Sequence, residues 1–130
     1  MILILGAILG FISVAFGAYA EHGLRESITE ENFRFLMTAI RYNQVNAVLI
    51  VAVGLALVSN DKLSNISFFR WSGILFIIGT ILFSFSIYLS ISFDLPMIIN
   101  LTPLGGITIM LAWIMLIISA ILVRKNNNEE

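Results

Sequence analysis

Four apolar stretches, residues 2–20, 42–58, 71–93 and 103–123, fill most of this 130-residue chain. Each is about long enough to cross a hydrocarbon core roughly 30 Å thick as a helix. From Arg70 to Val123 the only charged residues are Asp94 and the boundary residue Arg70, a depletion that the surface of a water-soluble domain could not sustain. The sequence therefore predicts an all-α membrane protein: a four-transmembrane-helix bundle with an amphipathic lead-in to the second helix. Spans are expected at about 2–20, 39–58, 70–92 and 103–123, within a single domain over 1–125 followed by a polar tail at 126–130.

Hydrophobic residues make up 59% of the chain and charged residues 12%, against about 45–50% and 25% in ordinary soluble domains. After the spans are drawn, no room is left for a separate soluble catalytic domain, so any activity must come from the bundle. A net charge of −1 with scattered basic residues gives no stripe to neutralise phosphates, which argues against nucleic acid as a partner. Cysteine is absent, excluding disulfides, thiol catalysis and cysteine metal sites. Ala18-Tyr19-Ala20 before Glu21 fits a small-x-small cleavage pattern, but no Lys or Arg precedes the apolar run. That run also exceeds the length of a typical signal core, so the segment is read as a retained first span.

Gly6, Gly10, Ser13 and Gly17 share one face of the first helix and predict a close-packing surface, more naturally inside the monomer than between copies. Ser27-Ile28-Thr29-Glu30 reads as a capping box, and no Gly or Pro follows until Gly54. One helix over 28–58 would be roughly 46 Å long, more than a bilayer needs. Its first part is therefore expected at the interface, with Phe33, Leu36, Met37 and Ile40 on an apolar stripe and Glu31, Arg34, Thr38 and Arg41 on another face. Residues 59–69 read as a turn. Phe68, Phe69 and Trp71 beside Arg70 look like one interfacial anchor, with Tyr88 serving near the opposite surface. Pro96 forbids a regular helix interior, and Thr102-Pro103 reads as an N-cap with proline at the first helical position. Gly105 and Gly106 would admit a neighbouring backbone. Lys62, Arg70, Arg124 and Lys125 fall on one side of four spans and Arg25, Arg34 and Arg41 on the other, which favours cytoplasmic termini.

The candidate functional residues are Glu21 and His22 at the exit of the first span and Arg41, Tyr42, Asn43, Gln44 and Asn46 at the start of the second. They are expected to form a polar network at one membrane surface, with Glu21 as counter-charge to Arg41. His22 is the only histidine, a residue type suited to proton exchange, but adjacent residues on a helix point about 100° apart, so Glu21 and His22 make no preformed pair. One His and one Glu do not make a metal site, and no cofactor is implied. Asp94 is read as a loop cap. Trp113, near the midplane, should seek an acceptor on a hydroxyl of the third span such as Ser84. No nucleophile–base set, phosphate loop or acidic pair lies in the spans, so enzymatic function is not expected.

Four segments taken together carry a family resemblance. They are Ala15-Phe16-Gly17-Ala18 followed by Glu21-His22-Gly23-Leu24; Thr38-Ala39-Ile40-Arg41-Tyr42; Phe83-Ser84-Phe85-Ser86-Ile87-Tyr88-Leu89; and Thr102-Pro103-Leu104-Gly105-Gly106 with Trp113 downstream. In this order they resemble the domain-of-unknown-function 423 family, the YgdD/YwdK-like small membrane proteins, whose animal relatives include the transmembrane protein 256 group. The family pattern has a compact Gly-Ala-His-Gly-Leu, a Gln after the Arg-Tyr pair and a second His. Here Tyr19-Ala20-Glu21 precedes His22, Asn43 stands where Gln is usual, and Asn46 stands where His is usual. A histidine pair for protons or metal would therefore be half lost, whereas Asn46 can still hydrogen-bond. The resemblance implies four spans and a bacterial-type cytoplasmic membrane, and it implies no activity.

The sequence thus points to a non-enzymatic packing, interaction or scaffold protein, with lipid, a second copy or another membrane protein as partner. The alternative is an oligomeric transporter or channel for a small molecule or protons. Against it, Glu21 ends the first span instead of lying inside it.

Overall fold

A computed structural model describes residues 1–129, all of whose long elements are helical, with no strand among them. Helix α1 covers Ile2–Leu24. Its last turn, Ala20–Leu24, is wound as a π-helix, in which the Arg25 N–H donates to the Ala20 carbonyl at 3.0 Å. Such a turn takes up extra chain without breaking the helix, and it falls where Tyr19-Ala20-Glu21 interrupts the compact pattern. Helix α2 is Glu30–Ser59. The expected box at Ser27 is not its cap: Thr29 Oγ1 accepts from the Asn32 N–H at 3.2 Å, while Ser27 Oγ donates to the Leu24 carbonyl at 2.9 Å. Ser27 thus closes α1, and the start moves to the next residue with a free hydroxyl.

Asn60 caps a short helix, α3 (Asp61–Ser64), by accepting from the Lys62 and Leu63 N–H groups. Helix α4 then covers Ser67–Ser92 and contains a second π turn at Ile81–Phe85. It ends with Asp94 at φ +52°, where the Leu95 N–H donates to the Ser90 carbonyl at 3.0 Å. This is the left-handed helix stop usually given to glycine, which aspartate tolerates. A 3₁₀ turn at Pro96–Leu101 leads straight into α5, Thr102–Glu129. Thr102 is therefore not the extended N-cap expected. It has helical angles of φ −56° and ψ −46°, and its N–H is already satisfied by the Ile99 carbonyl. Helix α5 runs past residue 123, so the tail begins as helix.

The four helices long and apolar enough to cross a membrane are Ile2–Leu24, Glu30–Ser59, Ser67–Ser92 and the stretch Pro96–Asn126. Helix α1 packs antiparallel on α2, α4 packs on α5, and the α2–α4 contact joins the pairs. Small residues set the closeness of these contacts. A Cβ on Gly54 would meet the Leu3 backbone 2.6 Å away, and one on Gly6 would meet the Val51 nitrogen at 2.9 Å. Gly10 and Gly17 face Ala47 and Ile40 with ordinary clearance, and Ser13 is buried on the same face. Gly105 sits against the backbone of Phe83 in the second π turn, whereas a Cβ on Gly106 would meet only the Phe83 ring, at an ordinary contact distance of 3.9 Å.

Two apolar clusters form the core. One joins Leu9, Ala47, Ile50, Phe76, Ile77, Ile109 and Ala112; the other joins Ala20, Leu24, Leu36, Ala39, Ile40, Ile87 and Tyr88. The second contains the lead-in of α2, which is thus part of the bundle and not a free interfacial segment. Leu36 and Ile40 face inward, while Met37 is turned out.

Candidate functional site

The register that buries Leu36, Ala39 and Ile40 of α2 also buries Asn43 and Asn46, at 0% and 2% exposure. They lie between the two apolar clusters. Ser13, Thr80 and Ser84 join them there, each fully buried and each bound to a backbone carbonyl. Ser13 Oγ donates to Gly10 at 2.7 Å, Thr80 Oγ1 to Phe76 at 2.6 Å, and Ser84 Oγ to Ala39 on the facing helix at 2.9 Å. Asn43 Nδ2 makes a long contact to the Tyr88 hydroxyl, 3.4 Å, leaving Asn43 Oδ1 and Asn46 Nδ2 with no partner among the described residues. Each buried unpaired amide atom costs about 1–3 kcal/mol.

This layer is not at a rim. Ile40 faces Gly17 and Ala47 faces Gly10, so residues 41–46 run beside the middle third of α1. The placement follows from the lead-in packing inside the bundle and drawing the whole of α2 inward. Tyr88 is likewise not an interfacial anchor: it is 3% exposed and stacked on Phe16 with ring centres 4.0 Å apart.

The predicted surface network is divided among separate contacts. Glu21 pairs with Arg25 one turn along α1, not with Arg41, because (i, i+4) spacing on one helix brings them together without any long-range constraint. His22 is exposed on the π turn. Arg41 is exposed on α2 and makes no ion pair with a described residue. Tyr42 leans on Phe83, ring centres 4.8 Å apart, and Gln44 is exposed on the outer face of α2. Trp113 does not meet Ser84, whose hydroxyl is taken by Ala39; it packs edge-on against Phe76 at 5.3 Å, with 45% of its surface exposed. Ser86 and Thr102 hydroxyls meet at 2.7 Å, tying α4 to the start of α5. Among the described residues no three acidic or histidine side chains gather as a metal set. What the layer offers chemically is hydrogen bonding by amides and hydroxyls.

Residues 16–106 match the model of a family described as a protein of unknown function, DUF423. The chain belongs to the DUF423 family. It is 34% identical over 120 residues to the UPF0382 membrane protein YwdK of Bacillus subtilis, covering 92% of this chain and 94% of that one. To the UPF0382 inner membrane protein YgdD of Escherichia coli K12 it is 33% identical over 129 residues, covering 98% and 95%. A Haemophilus influenzae UPF0382 membrane protein is 32% identical over 115 residues, covering 88% of each. No solved structure matches the chain. With its four candidate spans, this DUF423 chain is a membrane protein, and the resemblance drawn from the sequence is correct.

The sequence reading of this DUF423 protein put neither Thr80 nor Tyr88, taken as an interfacial anchor, in the layer, and it did not foresee the contact of Gly54 with α1 outside it. Thr80 and Tyr88 lie on α4, where hydroxyls are scattered through apolar sequence without a motif. Gly54 carried a signal, as the first glycine after a long run without one in α2, but only the packing shows that it meets α1.

Proposed function

We propose that this DUF423 protein is a non-enzymatic membrane protein that works by lateral association, with copies of itself as the partner. The observation that carries this reading is Gln44. It lies between Ile40 and Ala47, which face Gly17 and Gly10, so it stands close to the middle of the spans. Its amide is exposed on the outer surface of α2, with no hydrogen bond to a described residue. In lipid an uncovered amide has no water to turn to, and an interhelical hydrogen bond is its remedy. An amide both donates and accepts, so two copies related by a two-fold axis satisfy each other. Beside it, a shallow groove of about 370 Å³ is lined by Gly6, Ala7, Gly10, Phe11 and Val48, among others, and offers a surface for close approach.

The buried layer supports the same reading over a transport path, since the Ser13, Thr80 and Ser84 hydroxyls bind carbonyls within the bundle instead of lining an open passage. We also place both termini in the cytoplasm. Lys62, Arg70, Arg124 and Lys125 lie at that end against Arg25 and Arg34 at the other, Arg41 being set beside the middle of the spans and left out of the count.

Energy transfer between donor- and acceptor-labelled copies in vesicles tests this. Gln44→Leu should weaken association about tenfold, the equivalent of roughly 1–2 kcal/mol for an intramembrane amide pair. Equal association of parent and variant would contradict the reading. So would a pH-gradient-driven flux in liposomes that Glu21→Gln abolishes, which would favour a transporter.

A further inference from the structure

We infer that the groove between α2 and α5 holds the ring of an isoprenoid quinone, with Arg41 and Asn46 donating hydrogen bonds to its carbonyl oxygens. The groove, about 330 Å³, is lined by Arg41, Tyr42, Val45, Asn46, Ile109 and Trp113, a volume within the range of small-molecule pockets. Its depth decides what can fill it. Ile40 faces Gly17 and Ala39 is tied to Ser84, so Arg41 stands about eight to ten residues, roughly 12–15 Å, inside the ends of α1 and α4 at Leu24 and Ser92. Asn46 is deeper still, next to Ala47 opposite Gly10, and Trp113 lies one turn beyond Ile109, which meets Gly79 in the middle of α4. The groove therefore spans the middle of the hydrocarbon layer. Phosphates and ester carbonyls of bilayer lipids stay at its polar boundary, so an acceptor at this depth must come from a molecule whose polar part dissolves in hydrocarbon. A quinone, with an uncharged ring and an apolar tail, meets that condition.

What the groove offers such a ring is unsatisfied donors. Arg41 has no ion pair with a described residue, and in lipid its guanidinium needs an acceptor. A carbonyl oxygen takes a charge-assisted hydrogen bond from it without bringing a second charge out of water, and no acidic side chain lines the groove. Asn46 is 2% exposed and its Nδ2 has no partner. Rotation about its soft χ2 presents that amide to an oxygen seated in the groove. The two donors are five residues apart along α2, roughly 7–8 Å, which leaves room between them for a ring with carbonyls at opposite positions. Tyr42 and Trp113, both partly exposed, give the groove aromatic walls on which a planar ring stacks, and Val45 and Ile109 leave the apolar path that a tail requires. The site lies on a different face of α2 from the Gln44 amide, and it stands whether or not the protein associates with itself.

Trp113 reports directly on the occupant once Trp71 is replaced by Phe, because a quinone quenches indole fluorescence on contact. The full chain, carrying Trp71→Phe, is reconstituted in phosphatidylcholine vesicles and titrated with ubiquinone-2. A bound ring gives quenching that saturates at low mole fraction, above the slow linear loss caused by quinone dissolved in the bilayer. Arg41→Gln and Asn46→Leu should each raise the half-quenching mole fraction about tenfold, as loss of one hydrogen bond to a desolvated partner implies. Arg41→Lys, which keeps a cationic donor, should stay within about threefold of the parent. Thermal unfolding of each variant checks that the fold is retained. Quenching that stays linear in the Trp71→Phe protein overturns the proposal without recourse to a further variant. So does saturable quenching that survives either Arg41→Gln or Asn46→Leu unchanged, which would place the quinone elsewhere on the protein.

Discussion

At the scale of single residues, the most consequential feature is a pair of amides buried in the middle of an apolar bundle. Asn43 Oδ1 and Asn46 Nδ2 are unpaired, one an acceptor and the other a donor, three residues apart on one helix. Removing a buried polar group that has no partner costs little, because no bond is lost and a desolvation penalty disappears. Asn46→Leu is therefore expected to leave the fold intact and to raise stability in detergent by about 1 kcal/mol, measured by thermal unfolding. A marked loss of stability would show that the Asn46 amide is hydrogen-bonded in the folded protein. The identities of these residues were plain in the sequence, but their depth was not. Polar residues at the start of an apolar stretch read as surface groups, and only the packing of Leu36 and Ile40 against Ala20 and Leu24 shows that α2 enters the bundle well before its apolar run begins. The same limit applies to Glu21. A counter-ion four residues along the same helix, Arg25, was the nearer choice than one on another helix, and helical spacing alone would have given it.

At the scale of the helix, close approach of backbones sets the architecture. Gly105 is pressed against the Phe83 backbone, whereas Gly106 has only the Phe83 ring 3.9 Å from where a Cβ would stand. A methyl group at the first site must push α4 and α5 apart, which overpacking data place at about 1–3 kcal/mol; at the second it enters ordinary contact. Gly105→Ala should thus lower the unfolding temperature clearly, while Gly106→Ala should leave it within about 0.5 kcal/mol of the parent. Equal effects would contradict the packing of α5 on the second π turn. The sequence showed that two glycines begin this helix, and helical geometry requires that they point in different directions, but which one faces α4 depends on the phase set by the 3₁₀ turn Pro96–Leu101. That turn was hidden by the Thr102-Pro103 pair, which imitates a helix start. The π turns were equally hidden, since no residue pattern marks them. The one at Ala20–Leu24 left a trace only as extra length relative to the family pattern.

At the scale of the molecule, four apolar rods of 23, 30, 26 and 31 residues settle the fold class, which is why fold and membrane location were legible from the chain while the site was not. Span number and depth follow from hydropathy, a property each residue carries with it. Which side chains meet follows from helix phase, which local sequence fixes poorly. The central claim is that these four helices cross the bilayer with Gln44 near its middle and the α2–α3 turn opposite the α1–α2 connection. The absence of cysteine makes this directly measurable, because single cysteines can be introduced without background. Intact cells or sealed vesicles carrying Glu26→Cys, Asn65→Cys or Gln44→Cys would be treated with a membrane-impermeant maleimide, before and after opening the membrane. The fold predicts that Glu26→Cys and Asn65→Cys label from opposite sides, one of them only after opening, and that Gln44→Cys labels in neither case until the protein is denatured; the proposed cytoplasmic termini would make Glu26→Cys the one reached from outside. Labelling of Glu26→Cys and Asn65→Cys from the same side, or ready labelling of Gln44→Cys in the sealed membrane, would contradict it.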